Sequence, residues 1–520
     1  MLTCCCSANV DNLIFASFIM FSLTQVQVLA TLGFMLCVDD AFSRTQQVGK
    51  PNVILLLTDD QDVVLHGMYP LQKTTQWFAK MGVQFTNAFT NTPICCPSRA
   101  SLLTGQYAHN HRTYNNSITG GCNGHLWRAK SEPHALPVLL QNHGYHTFFA
   151  GKYLNQFKGA EVPPGWDEFY GLHGNSRYYN YTMRENQQNV SYTDTYLTDL
   201  LKDRAVTFIR NMASKQYQKP FFAMISPPAA HAPFTPAPRH KGFFSEVHAL
   251  RTPNFNAPDT DKHWLVGSAQ NLSEATVRTI DEYFQSRWET LLAVDEMMQN
   301  LLTVLNETQY LDNTYIVYTS DNGYHLGQFA QPFDKRQPYE TDIKVPLLIS
   351  GPDVPAGGST DIIVSLLDLA PTILEWTGMS VPDYIDGRSI RDQLLSVHDT
   401  NRNLQNVLLI EYWGEGNNET YNPECPGRRS DHLAQCTLDA ECHCQDAWNN
   451  TYNCVRDFRY NLDRIYCEFR DTENFVEAYD LMQDPYQLRN IADELLPIEK
   501  GLYGILIQNL KKCTGKACHV

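Results

Sequence analysis

Five short apolar runs, each closed by small or polar residues, constrain this chain more than any other feature. They are Val53–Thr58, Thr147–Ala150, Phe221–Ser226, Tyr315–Ser320 and Val345–Ser350. Runs this short, rich in β-branched and aromatic residues, suit strands buried on both faces better than helices. Helical patterns lie between them. The clearest is Trp288–Leu305, where Leu291, Leu292, Val294, Met297, Met298, Leu301, Leu302 and Leu305 share one broad face. The alternation predicts an α/β fold: a doubly wound, mostly parallel sheet flanked by helices. Such sheets bind ligands just past the carboxyl ends of their strands. Asp59 and Asp60 follow the first run, Lys152 the second, His231 the third, and Asp321 and Asn322 the fourth. The topology therefore predicts that these residues meet at one sheet edge.

At 520 residues the chain exceeds what one hydrophobic core usually serves. We expect a catalytic domain over 46–400 and a smaller α+β domain over 401–520. Residues 395–406 would link them. The apolar stretch Leu13–Val38 resembles a signal peptide, making 1–45 a leader, although Asp11 replaces the usual basic flank and the length also permits a signal anchor. Seven Asn-x-Ser/Thr acceptors follow, at Asn115, Asn180, Asn189, Asn271, Asn306, Asn418 and Asn449. Seven beside a leader point to the secretory route. Four of the fifteen cysteines lie in the leader, which leaves eleven. Cys425, Cys436, Cys442, Cys444, Cys454 and Cys467 crowd one stretch, and Cys513 and Cys518 close the chain. In an oxidising compartment they read as disulfide staples. Without paired C-x-x-C spacing, a zinc site is the weaker reading. An odd number leaves one thiol free, and Cys95 is the expected one. The net charge of −16 disfavours nucleic acid as a partner.

The chemistry concentrates around Cys95-Cys96-Pro97-Ser98-Arg99, which runs on to Gly105. Pro97 suits a first helical position and Gly105 a helix stop, so Cys95 is expected just before a helix N-terminus. Free N–H groups there favour an anion or a thiolate. Asp59, Asp60, Asp321 and Asn322 are hard oxygen donors, suited to calcium or magnesium and poor for zinc.

Together these segments resemble the formylglycine-dependent sulfatases. Cys95–Gly105 is similar to the sequence in which the first cysteine is oxidised to formylglycine. Asp59-Asp60 and Asp321-Asn322-Gly323 are similar to the family's metal segments. The resemblance implies an alkaline-phosphatase-like fold and one Ca²⁺ held by Asp59, Asp60, Asp321, Asn322 and the modified Cys95. It also implies a formylglycine-generating enzyme as maturation partner. Arg99 would brace the formylglycine, Lys152 and Lys335 would grip sulfate, and His231 would stand near the leaving oxygen. The hydrated aldehyde would attack sulfur, and its second hydroxyl would give the sulfated enzyme an exit. Many arylsulfatases carry histidine where this chain has Leu154, so the base of that exit step is open, with His325 a candidate. Within the family, Phe148–Asn155, Tyr178–Thr182, Lys262–Leu265, Tyr318–His325 and Asp334–Gln337 resemble the glucosamine-6-sulfatases. That implies lysosomal removal of 6-O-sulfate from N-acetylglucosamine in heparan and keratan sulfate, with the glycosaminoglycan as substrate. The alternatives are an extracellular heparan 6-O-endosulfatase, whose basic insertion this chain lacks, and a phosphodiesterase of the same superfold. Oligomeric state stays open, a homodimer included. The irregular Ala237–Val277 stretch would cover the site, and Lys262, His263 and Trp264 would either touch sugar or pack the loop.

Overall fold

The computed structural model describes residues 49–214, 219–395, 406–416, 422, 424–425, 433–437, 440 and 443–520. The leader, most of the 395–406 link and the Asn418 acceptor lie outside them. Residues from Lys50 to Val520 pack as one compact unit.

Its centre is a ten-stranded sheet. In chain order the strands are β1 (Asn52–Thr58), β2 (Val83–Phe89), β3 (His146–Gly151), β4 (Glu168–Leu172), β5 (Tyr181–Glu185), β6 (Gln188–Tyr192), β7 (Phe221–Ser226), β8 (Thr314–Ser320), β9 (Leu347–Ser350) and β10 (Gly358–Ser365). They lie in the order β10-β2-β9-β8-β1-β7-β3-β4-β5-β6. β1 sits in the middle, parallel to both β7 and β8, and β7 runs parallel to β3. Both faces of β1 are covered, as its unbroken apolar run requires. Val53, Leu55 and Leu57 point into one core, and Ile54 and Leu56 into the other. The period of two along a strand makes that division.

The expected strand at Val345–Ser350 exists as β9, but it pairs antiparallel with both β8 and β2. The reason is the connection. Residues 321–346 hold no helix longer than the four residues Glu340–Ile343, so the chain re-enters at the edge it left. A parallel return needs a crossover of a dozen or more residues, usually helical.

The helices comprise α1 (Gln72–Met81), α2 (Cys95–Thr104), α3 (Leu197–Ala213), α4 (Glu274–Glu307), α5 (Leu369–Trp376) and α6 (Pro497–Leu510), with shorter turns between. The predicted apolar face of Trp288–Leu305 lies within α4, which starts earlier because the Ser273 side chain accepts from Thr276 N–H and caps it. Cys95 is itself the first residue of α2, which puts Pro97 third rather than first. Pro is tolerated there because the first four N–H groups of a helix have no intrahelical partner. Gly105 ends α2 with φ 66°, the left-handed cap that glycine adopts freely.

The C-terminal part adds a four-stranded antiparallel sheet, in the order β11 (Val407–Tyr412), β14 (Tyr452–Asp457), β15 (Arg464–Phe469), β16 (Val476–Asp480), and a hairpin of β12 (Ala434–Thr437) with β13 (His443–Asp446). Disulfides join Cys425–Cys444, Cys454–Cys467 and Cys513–Cys518 there, and Cys96–Cys122 near α2. Cys95 is the free cysteine among the described residues.

Candidate active site

The strand ends converge as the alternation predicts. β1 delivers Asp59 and Asp60 beside the first turn of α2, and the end of β8 delivers Asp321 and Asn322. The Cys95 Sγ lies 3.8 Å from Asp60 Oδ1. Ligand atoms of Asp59, Asp60, Cys95 and His231 all fall within 4.8 Å of one another. Asn322 Nδ2 donates to Asp60 Oδ1 at 2.8 Å, and the Asp60 N–H donates to Asp321 Oδ1 at 3.0 Å.

Cations meet this carboxylate cluster at close range. Lys152 Nζ donates to Asp59 Oδ2 and Lys335 Nζ to Asp60 Oδ2, each at 2.7 Å. Arg99 lies fully buried under the site. Its Nε donates to Asp321 Oδ2 at 2.7 Å, and Nη1 donates to the Lys152 carbonyl and to Ser226 Oγ. Arg99 thus ties the ends of β8, β3 and β7 together. His231 Nδ1 donates to the Ala232 carbonyl at 2.7 Å, which leaves Nε2 facing Asp60 Oδ2 at 3.6 Å.

The charge states follow from this crowding. Burial pushes the Cys95 thiol up to about 12, and Asp59 and Asp60 add to the rise against the pull of Lys152 and Lys335. An unmodified thiol here is therefore a poor nucleophile. Burial raises Asp59, but Lys152, His231 and Arg99 outweigh it and hold the carboxylate well below its usual range. Asp321 goes the other way, up to about 7, because burial dominates and Asp59 and Asp60 repel it, despite Arg99. Burial takes the His231 ring down to about 4, against the attraction of Asp60 and Asp59.

A divalent cation fits this donor set. Asn322 Oδ1 is buried and accepts no hydrogen bond, and Asp59 Oδ1, which accepts none either, has only Arg99 Nη2 at 3.4 Å. Orphaned buried oxygens are costly unless a ligand satisfies them. Both are hard donors of the kind calcium takes.

Above this floor opens a cleft of about 700 Å³, lined among others by Asp60, His231, Lys335, Tyr324, Arg336 and Glu415. His325 is not among its lining residues. Its Nδ1 bonds Asp342 at 3.0 Å and its Nε2 bonds Gln445 Oε1 at 3.3 Å. Lys262, His263 and Trp264 also face away from the cleft. Lys262 Nζ donates to Tyr479 Oη and the Gln487 carbonyl, both at 2.8 Å, and His263 stacks on Phe469 at 4.2 Å. They pin the Ala237–Val277 stretch to the C-terminal sheet, so the loop-packing reading holds.

Sequence reasoning missed several supports. Ser176 Oγ donates to Asp59 Oδ2. Arg287 of α4 donates to the Asp60 carbonyl at 2.8 Å and to Asp62 at 2.9 Å, bracing the turn where Asp60 takes φ 59°. Ser226 was visible only as the end of a strand. Arg287 carries no signal in the sequence, since a charge on a helix usually faces water.

The family model for sulfatases matches residues 51–379. The chain belongs to the sulfatase family. It is 44% identical to the human N-acetylglucosamine-6-sulfatase over 482 residues, covering 90% of this chain and 86% of that protein. It is 43% identical to the goat (Capra hircus) enzyme of the same name, covering 90% and 85%. A solved structure of a protein in complex with its substrate, D-glucosamine-2-N,6-O-disulfate, superposes with a TM-score of 0.72 at 24% identity. It covers 89% of this chain and 98% of that one. That structural likeness carries the sulfatase fold alone: a large mixed sheet between helices, with the disulfide-bearing antiparallel sheet behind it.

Proposed function

We propose that this sulfatase hydrolyses 6-O-sulfate esters of glucosamine and N-acetylglucosamine residues in heparan and keratan sulfate. It would act in the lysosome, reached through the secretory route. One observation carries the reading: the unpaired Cys95 opens α2 at 3.8 Å from Asp60, in the one sequence context where the family oxidises cysteine. The relatives at 43–44% identity supply the choice of sugar.

In this reading Asp59, Asp60, Asp321 and Asn322 would hold calcium together with the modified residue 95. Formylglycine at 95, as its hydrate, supplies the oxygen nucleophile, and the calcium ion supplies positive charge to polarise it. The remaining work belongs to the chain's own side chains. Lys152 and Lys335 neutralise charge on the sulfuryl oxygens, preorganised by their buried aspartate contacts. Arg99 fixes the relative positions of three strand ends and so the geometry of the floor. His231 presents Nε2 to the leaving sugar oxygen, its ring fixed by the Nδ1 donation to Ala232, and it would deliver a proton from Nε2 only as the imidazolium, a state that the negative charge of a bound sulfate ester favours. His325, engaged at both nitrogens, positions the loop after Asn322 through Asp342.

Two measurements test the reading. Mass spectrometry of the Cys95 peptide from secretory-expressed protein should show conversion to the aldehyde, and thiol retained at full occupancy would count against catalysis. Sulfate release from N-acetylglucosamine-6-sulfate at acidic pH should be calcium-dependent. No release, with turnover of a phosphodiester, would move the chain to another chemistry.

A further inference from the structure

A second cleft of about 580 Å³ adjoins the first, sharing Gln156, Gly174, Asn175 and Pro233 with it. Its walls differ in charge. Lys158, His173 and Arg177 line it, and no aspartate or glutamate does. Lys158 and Arg177 are exposed, and among the described residues neither makes an ion pair. The first cleft instead carries Asp334 and Glu415 along one wall, each within ion-pair distance of Arg336.

The annex is built onto the catalytic floor. Lys158 lies in the loop that follows β3 and starts at Lys152, the residue bonded to Asp59. Arg177 follows Ser176, whose hydroxyl donates to the same carboxylate oxygen. The two loops are zipped by a bridge between Phe157 and Gly174, with Gly174 N–H donating to the Phe157 carbonyl at 2.7 Å. Two cations therefore stand on loops joined to the catalytic floor, in a cleft that adjoins the one over the reacting centre.

Resting on the proposed activity, we infer that this annex is an anion subsite for the sugar next to the one being desulfated. Its ligand is a carboxylate or sulfate on that neighbour. A polyanionic chain would then lie with its reacting sulfate over Lys335 and its next anion over Lys158 and Arg177. Exposed cations of this kind give modest affinity and a clear salt dependence.

The test is the double variant K158A/R177A. Four substrates are compared: N-acetylglucosamine-6-sulfate alone, and the same sugar linked to a uronate, to galactose 6-sulfate or to plain galactose. We expect kcat/KM to fall about five- to tenfold on the anionic disaccharides, the range two exposed ion pairs can supply. The monosaccharide and the galactose disaccharide should stay within about twofold. A loss confined to the uronate substrate names a carboxylate as ligand, and one confined to galactose 6-sulfate names a sulfate. No loss, or an equal loss on all four, overturns the subsite. Calorimetric binding of the uronate disaccharide, measured in a Cys95→Ala background with and without the double variant, reads the annex without turnover. Binding in that background with no hydrolysis by the wild type would sink the activity, whereas equal binding with and without the double variant would sink the subsite.

Discussion

In two places in this molecule a lysine and a histidine are buried close together, and their nearest partners differ. At the floor of the cleft, Lys152 and Lys335 each face an aspartate at 2.7 Å, and His231 turns Nε2 toward Asp60. Under the Ala237–Val277 stretch, Lys262 donates to a phenol and a carbonyl at 2.8 Å, lies over the rings of Phe329, Tyr339 and Tyr479 at 4.0–4.8 Å, and has its nearest carboxylate, Asp259, only at 3.8 Å. His263 stacks on Phe469 and pairs with Asp471 at 3.3 Å. Burial alone says that a cation is constrained. The chemistry of its partners says for what. Carboxylates already crowded by a third acid leave room for another cation, whereas aromatic faces and a carbonyl complete the lysine's own needs.

The sharpest way to break this contrast starts at its catalytic pole. Replacing Cys95 by Ala should leave a folded protein and lower sulfate release by about 10³-fold or more, the size of losing a nucleophile. Residual turnover near wild type would remove Cys95 from the chemistry. Next come the lysines. K152M should lower kcat by about 10²–10³-fold, as loss of an aligned charge does. K262M should instead cost about 2–4 kcal/mol in urea unfolding, from two unsatisfied acceptors and lost cation–π contact, with kcat/KM within a few fold. An inactive but stable K262M would erase the distinction between the two regions.

A smaller effect concerns the end of the chain, held by a partly buried histidine. His109 bonds Glu411 at 3.0 Å and the Cys513 carbonyl at 3.1 Å. Burial lowers its pKa, but Glu411 and that carbonyl raise it more, for a net rise above 6.5. A raised folded-state value contributes stability that is complete below the unfolded pKa and is lost as pH rises through the folded one. H109Q should therefore destabilise by about 1 kcal/mol more at pH 5 than at pH 8.5. Equal losses at both would mean that the ring stays neutral throughout. The smallest expected effect is in glycosylation. Asn180, Asn189, Asn271 and Asn306 are exposed, while Asn115 and Asn449 are buried at 5% and 9% exposure. Glycopeptide mapping should find the first four occupied and the last two bare, and glycan on Asn115 would show that it is modified before its loop closes.

The five apolar runs, the helix opened by the Cys95 segment, and the placement of Asp59, Asp60, Lys152, His231, Asp321 and Asn322 after strands were all legible in the chain. Strand periodicity and turn chemistry are local, so they survive in sequence. Less visible were β2, β4, β5 and β6, whose partly exposed residues break the apolar runs. The disulfide partners were not readable at all, because connectivity is a statement about distance in space.

Local pattern thus determined on its own that a parallel sheet would gather acids, lysines and a cysteine at one edge. Only the tertiary structure decided which of several equivalent-looking cations serve that edge. It turned Lys262 and His263 toward the C-terminal sheet, engaged both nitrogens of His325, and set Arg287 and Ser176 against the aspartates. The physical reason is that a charge costs the same to bury wherever it lies in the sequence, and its compensation comes from residues far away along the chain.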